Sequence, residues 1–184
     1  MTAATSAIAT GTWVADPAHS TLGFSVKHLG IATVRGSFGE FEGTLELGED
    51  LAAATITGSA KAASINTAEP QRDAHLRSPD FFDAASHPEL TFESTSISAT
   101  GGDTFTVEGN LTMHGLTRPV TLRAQVQGAE TDPWGNERVA LEITGQLNRS
   151  EWEMKFNQAL GSGNMLVSDT VKLAIDISAV KQAG

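Results

Sequence analysis

The chain has 184 residues and about 40% of them are apolar, so it is long enough for one domain with a hydrophobic core. Its net charge is −10 and its cations form no basic run, so a nucleic acid is not an expected partner. Cysteine is absent, which excludes disulfides, thiolate nucleophiles and iron–sulfur clusters. Eight Phe, three Trp and no Tyr make the aromatic residues almost wholly apolar, which suits an apolar interior better than a polar site.

The N-terminal segment differs in character from the rest of the chain. Residues 1–11 contain no basic residue and no apolar block of the length that a signal peptide needs. They are predicted to form a flexible tail before a single domain over residues 12–184. A cytoplasmic location is the corresponding expectation, unless a leader was removed from a precursor. No apolar run approaches the ~18 residues that span a bilayer, so stable membrane insertion is not expected.

Apolar and polar residues alternate with a period of two along most of the chain, which predicts β-strands. Strands with one apolar and one polar face are typical of antiparallel sheets. Breaks that contain Gly, Pro, Asn or Asp predict hairpins between neighbouring strands. The alternating segments are 21–27, 104–113, 120–127, 139–147 and 171–177, and the breaks are 101–103, 114–119 and 132–136.

A change of alternation phase points to a bent strand. The apolar positions are even at Val34 and Phe38 but odd at Phe41, with Gly36 and Gly39 alongside. Such a change is typical of a bulge or a coiled corner, and bent strands allow a sheet to close on itself. We therefore predict an all-β fold, a closed antiparallel barrel of about eight strands, because closure also hides the sheet edges.

One segment departs from the strand pattern. Pro70–Arg77 begins with Pro and is followed by Pro79, which predicts a short helix near residues 70–78. Phe81 and Phe82 come next, and a helix with an aromatic pair between strands is expected to roof one end of the barrel.

Small residues dominate one face of the segment 52–62. If that face points inward, the strand fills little volume, which favours an interior that holds one ligand. The alternative is that bulky residues across the barrel, such as Phe24 or Phe92, occupy the space. The face consists of Ala52, Ala54, Ile56, Gly58, Ala60 and Ala62.

The residues that carry chemistry are few. The five histidines, at positions 19, 28, 75, 87 and 114, have no paired metal-ligand spacing, so no metal site is predicted. Neither a nucleophile elbow nor a phosphate-binding loop occurs, so no catalytic residue is assigned and the protein is not expected to be an enzyme. The densest charged cluster is 72–77. It fits an exposed helix with an Asp73–Arg77 ion pair, or cations at a barrel mouth that face an anionic head group.

Several blocks together resemble the YceI-like family over about residues 12–180. They are WVADPAHSTLGFSVKH at 13–28, NTAEPQRDAHLRSPDFFD at 66–83, HPELTFES at 87–94 and GNLTMHGLTRPVTL at 109–122. The resemblance implies a lipocalin-like barrel that binds a long polyisoprenoid or similar amphiphilic lipid. It also implies a bacterial protein that is commonly a dimer. Family members are often exported, and some are linked to stress responses. One departure is Glu153, where the family block usually has Gly.

The sequence and the resemblance together predict a carrier or store of an isoprenoid, quinone-like or fatty lipid, with no other cofactor and as a homodimer. The predicted pocket residues are Phe24, Val26, Phe38, Ile56, Phe81, Phe82, Phe92, Val107, Leu111, Leu122, Leu141 and Ile143. The predicted head-group contacts are His28, Arg72, His75 and Arg77.

Two alternatives stay open at this stage. One is an enzyme that acts on such a lipid, an isomerase or hydrolase, through His28 or the Arg72–Arg77 cluster. The other is a structural or partner-binding protein with a solid core.

Overall fold

A single antiparallel sheet that closes into a barrel dominates the computed structural model, which describes residues 8–184. Within those residues, four short 3-10 turns and one α-helix, α1 (Pro70–Arg77), accompany the strands. The strands are β1 (Gly11–Ala15), β2 (Thr21–His28), β3 (Ala32–Phe38), β4 (Phe41–Leu47), β5 (Thr55–Lys61), β6 (Ile65–Asn66), β7 (Glu89–Gly101), β8 (Thr104–Met113), β9 (Leu116–Thr131), β10 (Glu137–Asn148) and β11 (Val167–Lys181).

The barrel closes through β1, which pairs with β4 on one side and with β11 on the other. Around the ring the order is β1, β4, β5, β7, β8, β9, β10, β11. The strands β2 and β3 pair with each other, and β2 also pairs with β11. Thus β1–β2 and β3–β4 act as two long, bent strands, and the closed eight-stranded antiparallel barrel predicted from the alternation is confirmed.

The bend lies where the alternation changes phase. Strand β3 ends at Phe38 and β4 begins at Phe41, and the neighbouring strand is interrupted by the 3-10 turn Pro17–His19. Asp16 caps this turn by accepting a hydrogen bond from the Ala18 amide at 3.0 Å. Interruption of both strands lets the sheet turn the corner that closure requires.

The hairpin break predicted at 114–119 is shorter in the structure. Met113 pairs with Leu116, so the turn is only His114 and Gly115, with φ of 53° and 74°. Two residues with positive φ form the type I′ turn that suits the twist of a hairpin. Pro119 does not break the strand and instead lies opposite Asn110 in the ladder.

The predicted N-terminal tail is wrong for residues 8–11. Gly11 begins β1, Ile8 packs against the main core cluster, and Trp13 Nε1 donates to the Ala9 carbonyl at 3.0 Å. Residues 1–7, the remainder of that tail, lie outside the described residues.

The helix α1 has the predicted bounds, but its charged residues pair differently. Glu69 caps it by accepting hydrogen bonds from the amides of Gln71 and Arg72. Asp73 is buried and accepts from the amide and hydroxyl of Thr67 at 2.8 and 2.6 Å, so the predicted Asp73–Arg77 ion pair is wrong. In residues 8–184 no helix combines the length and apolar character needed to cross a bilayer.

Candidate functional site

The barrel encloses a cavity of about 290 Å³ at the end covered by α1. The inward residues of the strands form its wall, and Leu76 of α1 with Phe81 and Phe82 completes it. All twelve residues predicted to line a pocket, including Phe81 and Phe82 as its roof, lie on this wall. That they contact a ligand stays a prediction.

The interior stays open because two large rings lie flat on the sheet. A Cβ placed at Gly36 would stand 2.5 Å from Cζ of Phe24, and one at Gly109 would stand 2.5 Å from Cζ of Phe92. Each ring therefore covers a glycine of a neighbouring strand instead of projecting across the barrel. The alternative of a core filled by these rings is not what the structure has.

Strand β5 presents small residues to the cavity, so its side of the cavity is little filled. Gly58 is paired with Gly43 of β4, and a Cβ at either position would meet no heavy atom closer than 3.4 Å. Ala54, Ala60 and Ala62 are buried, as an inward small-residue face requires. The prediction that Ala52 shares this face is wrong, because Ala52 lies exposed in the 3-10 turn Leu51–Ala53.

The segment after α1 roofs the cavity. Phe81 is buried, and Phe82 packs edge-on against Phe38 with ring centroids 5.7 Å apart. The ring of His75 supports the roof from outside, at 5.1 Å from Phe81 and 4.7 Å from Phe156.

None of the four predicted head-group residues lies on the cavity wall. Arg72 donates from Nε and Nη2 to the hydroxyl and carbonyl of Thr67 at 2.7 and 2.8 Å, and His75 Nε2 lies 2.8 Å from Asp80 Oδ2. Arg77 donates to a backbone carbonyl outside the wall, and His28 ends β2. The reason is the rotation of α1 about its axis, which places Leu76 at the cavity and the charged residues elsewhere.

A buried cation that the sequence reasoning missed does line the cavity. Arg149 is only 6% exposed, and its guanidinium donates to the carbonyls of Ser168, Met154 and Val167 at 3.0, 2.6 and 3.3 Å. Three of its five N–H groups are thus used. The guanidinium carbon also lies 5.7 Å from the ring centroid of Phe81.

The charge of Arg149 has no carboxylate within ion-pair distance among the described residues. Burial lowers the pKa of Arg149, and the charge of Asp169 partly opposes that shift. The alternation in the sequence could have identified Arg149 as an inward residue. Its position continues the odd-numbered inward positions of Val139, Leu141 and Leu147. The interior is therefore mostly apolar, and Arg149 is a buried cation on its wall.

A second cavity of about 250 Å³ lies toward the opposite end of the barrel. Its wall includes Leu51 and Phe105, and it shares Leu45, Ile56 and Leu141 with the first cavity. The two cavities are therefore adjacent, and the second lies away from Arg149.

Outside the cavity, the structure brings together three residues that their spacing did not connect. Asp83, His87 and His114 each offer one metal-ligand atom, and these atoms all lie within 4.8 Å of one another. The sequence predicted no metal site because the three residues come from the roof segment and the distant β8–β9 turn.

Comparison of this chain with known proteins identifies its family. The model of the YceI-like domain matches residues 13–179. A UPF0312 protein of Pseudomonas putida and the Protein YceI of Escherichia coli are each 36% identical over 165 residues, which cover 89% of this chain and 82% and 83% of theirs.

Solved structures show the same fold. The Campylobacter jejuni YCEI protein superposes with a TM-score of 0.73 at 27% identity, over 91% of this chain and 96% of that one. A polyisoprenoid binding domain from Saccharophagus degradans superposes with a TM-score of 0.69 at 14% identity, over 95% and 100%. The match of the family model across nearly the whole barrel, together with these relatives, shows that the chain belongs to the YceI-like family.

Proposed function

We propose that the protein binds a long-chain polyisoprenoid or similar amphiphilic lipid inside the barrel, as a carrier or store. The observation that carries this proposal is the open apolar cavity of about 290 Å³ with a single buried cation on its wall. Pockets of this kind, mostly apolar with few polar groups, are the usual sites of small-molecule binding. The solved relative from Saccharophagus degradans is described as a polyisoprenoid binding domain, which agrees with this ligand class.

The layout of the interior suggests an orientation for the ligand. The polar end lies near Arg149. Its charge has no carboxylate partner in residues 8–184, which favours an anionic group such as a phosphate or carboxylate. The lipid chain then runs past Leu141 and Ile56 toward the second cavity, since both residues line both cavities. Burial of each methylene group of the lipid chain contributes about 0.8 kcal/mol to the binding free energy, before the costs of association are subtracted.

Binding without a chemical step fits the arrangement better than catalysis. The residues that the enzyme alternative requires, His28 and the Arg72–Arg77 cluster, lie off the cavity wall, so they are not within hydrogen-bond reach of a ligand enclosed there. A homodimer and a cytoplasmic location complete the proposal. Light scattering on the purified chain and fractionation of the native cells test these two points.

The test uses the full chain purified from its native host. Organic extraction followed by mass spectrometry is expected to recover one lipid per chain, and delipidated protein is expected to take up a polyprenyl phosphate. Recovery of a chemically altered lipid after incubation would instead support an enzyme.

Two matched variants locate the bound lipid. Gly58→Val adds volume inside the cavity, where the Cβ itself has room, and should weaken uptake about tenfold or more, which corresponds to ~1.4 kcal/mol. Gly128→Val adds the same side chain at an exposed position of β9 that lies off the walls of both cavities and should bind like wild type. Equal uptake by wild type and Gly58→Val would show that the lipid does not occupy the cavity.

A further inference from the structure

A cluster of two imidazoles and a carboxylate lies directly behind the cavity wall. Its members are Asp83, His87 and His114, whose potential ligand atoms lie within 4.8 Å of one another. The two imidazole rings are nearly perpendicular, at 78°, with centroids 5.4 Å apart. Two nitrogens and one carboxylate oxygen are a common protein donor set for Zn²⁺ that leaves a further coordination position open.

The orientation of His114 is fixed by a hydrogen bond that points to a ligand role. Its Nδ1 lies 2.8 Å from the carbonyl oxygen of Trp152. A carbonyl only accepts, so in the neutral imidazole Nδ1 carries the proton and the lone pair is on Nε2. Metal-bound histidines usually donate their second ring nitrogen to such an outer partner. Trp152 is itself fully buried, and its Nε1 donates to the Leu111 carbonyl at 3.0 Å, so the acceptor is held in place.

The backbone is shaped to bring the three side chains together. Asp83 and His114 both have positive φ, of 48° and 53°, which side-chain-bearing residues rarely adopt outside special turns. Gly115 leaves the space that His87 occupies, since a Cβ there would stand 2.7 Å from Cε1 of that ring. The His87 amide also donates to the Asp83 carbonyl at 2.8 Å, which holds the roof segment in a tight turn.

The place of the cluster gives a bound ion a structural effect. Phe82 immediately precedes Asp83, and Met113 immediately precedes His114, and both of these apolar residues line the cavity. We propose that Asp83, His87 and His114 bind one Zn²⁺ ion, which clips the roof segment 78–88 to the β8–β9 turn. The ion would join two segments that are far apart in the chain, and such a link restrains opening of the roof.

The binding test uses the full, tag-free chain after treatment with a chelator, titrated with Zn²⁺ by calorimetry. One ion per chain is expected. Changes to outer partners of metal ligands usually weaken binding about 10–100-fold, so removal of a ligand in His87→Ala, His114→Ala or Asp83→Asn should cost at least that factor. The control is His19→Ala, because His19 also lies 2.8 Å from a carboxylate, that of Asp16, but has no second imidazole there. It should bind Zn²⁺ like wild type.

Absence of uptake by wild type, or unchanged affinity in the three cluster variants, would overturn the site. Should His114→Ala fail to fold by circular dichroism, His87→Ala and Asp83→Asn decide the matter, since both leave the hydrogen bond between His114 and the Trp152 carbonyl in place. Amide hydrogen exchange tests the clip independently of any lipid. Exchange in residues 78–88 should slow on addition of Zn²⁺ in wild type and in His19→Ala but not in the three cluster variants, and unchanged exchange in wild type at full occupancy would refute the clip.

Discussion

The ring of Phe92 on β7 lies over Gly109 on β8, so closely that a Cβ at 109 would stand 2.5 Å from Cζ of the ring. The same Cβ would also stand 2.6 Å from the Glu93 carbonyl, which belongs to the backbone and cannot rotate away. The contact keeps the ring against the wall and leaves the interior open.

Gly109→Ala should therefore both destabilise the fold and reduce the space for a ligand. Overpacking of this kind typically costs about 1–3 kcal/mol, and the displaced Phe92 ring can move only toward the cavity that it lines. Urea unfolding and lipid uptake measure the two effects. Gly58→Ala is the control, since its Cβ has room, and it should leave the unfolding midpoint almost unchanged. Equal stability of both variants would contradict the proposed packing.

Arg149→Met should lower the free energy of unfolding by about 2 kcal/mol. The change leaves the carbonyls of Met154, Val167 and Ser168 without their guanidinium donor, while it also removes the cost of a buried charge. Urea unfolding measures the loss.

The same variant tests the head-group assignment, because loss of the cation should remove any preference for a polyprenyl phosphate over the neutral alcohol. Arg118→Met is the control, since Arg118 lies off the cavity wall and also donates to backbone carbonyls. A retained preference in Arg149→Met would assign the polar end elsewhere.

Stability should fall in acid through the ion-pair network around Arg138. Hydrogen bonds from His19, Arg138 and the Ala18 amide lower the pKa of Asp16 to about 2, and Arg138 holds the pKa of Asp132 well below its usual range. Both folded-state values lie below the ordinary 3.8, so the stabilisation is complete above about pH 4 and is lost as the pH falls toward 2.

Melting temperatures recorded between pH 5 and pH 2 check this dependence. Arg138→Met should melt lower at pH 5 and lose less on acidification, because the carboxylates then titrate nearer their ordinary range. Arg123→Met serves as the control, since within residues 8–184 Arg123 donates to the neutral side chains of Gln125 and Thr104 and to no carboxylate. Parallel curves for wild type and Arg138→Met would be the contrary result.

Glu153→Gly should stabilise the protein by about 0.5 kcal/mol. Glu153 has φ of 61° and ψ of 17°, a left-handed conformation that costs a non-glycine residue about 1 kcal/mol or more. The change also removes the ion pair with Lys155. Both side chains of this pair are exposed, so it contributes only about 0–1 kcal/mol to stability.

Unfolding in urea compares this variant with Glu153→Ala, which removes the ion pair without freeing the backbone. The alanine variant should be no more stable than wild type. If the two variants have the same midpoint, the backbone conformation is not the cause.

Much of the fold was predictable because its signals are local. Strand β8 and helix α1 have the bounds predicted from alternation and from flanking prolines. The phase change at Phe38 located the corner for the same reason, since inward and outward positions follow from parity within a strand. The turn at His114 was predicted too long because Pro119 occupies a strand position without breaking the strand.

The candidate site divides in the same way. Alternation indicated the inward residues of the strands, whereas Phe81 and Phe82 were predicted as a roof from their place after the helix. Alternation also applied to Arg149, whose charge concealed an inward position. The head-group role of Arg72, His75 and Arg77 stays a prediction, and they lie off the cavity wall. The sequence did not indicate this, because eight residues of largely polar sequence do not determine which side of a helix faces the barrel.

By itself, the sequence determined the strand pattern, the closed antiparallel barrel, its family and the apolar face that lines its interior. Only the tertiary structure decided that the rings of Phe24 and Phe92 lie over glycines and leave the interior open, that Arg149 is the cation inside, and that Asp83 and His87 meet His114. The physical reason is the separation along the chain of the residues that determine each feature. Alternation is set by neighbours along the chain, whereas ring positions, charge burial and ligand clusters depend on which distant strands closure brings together.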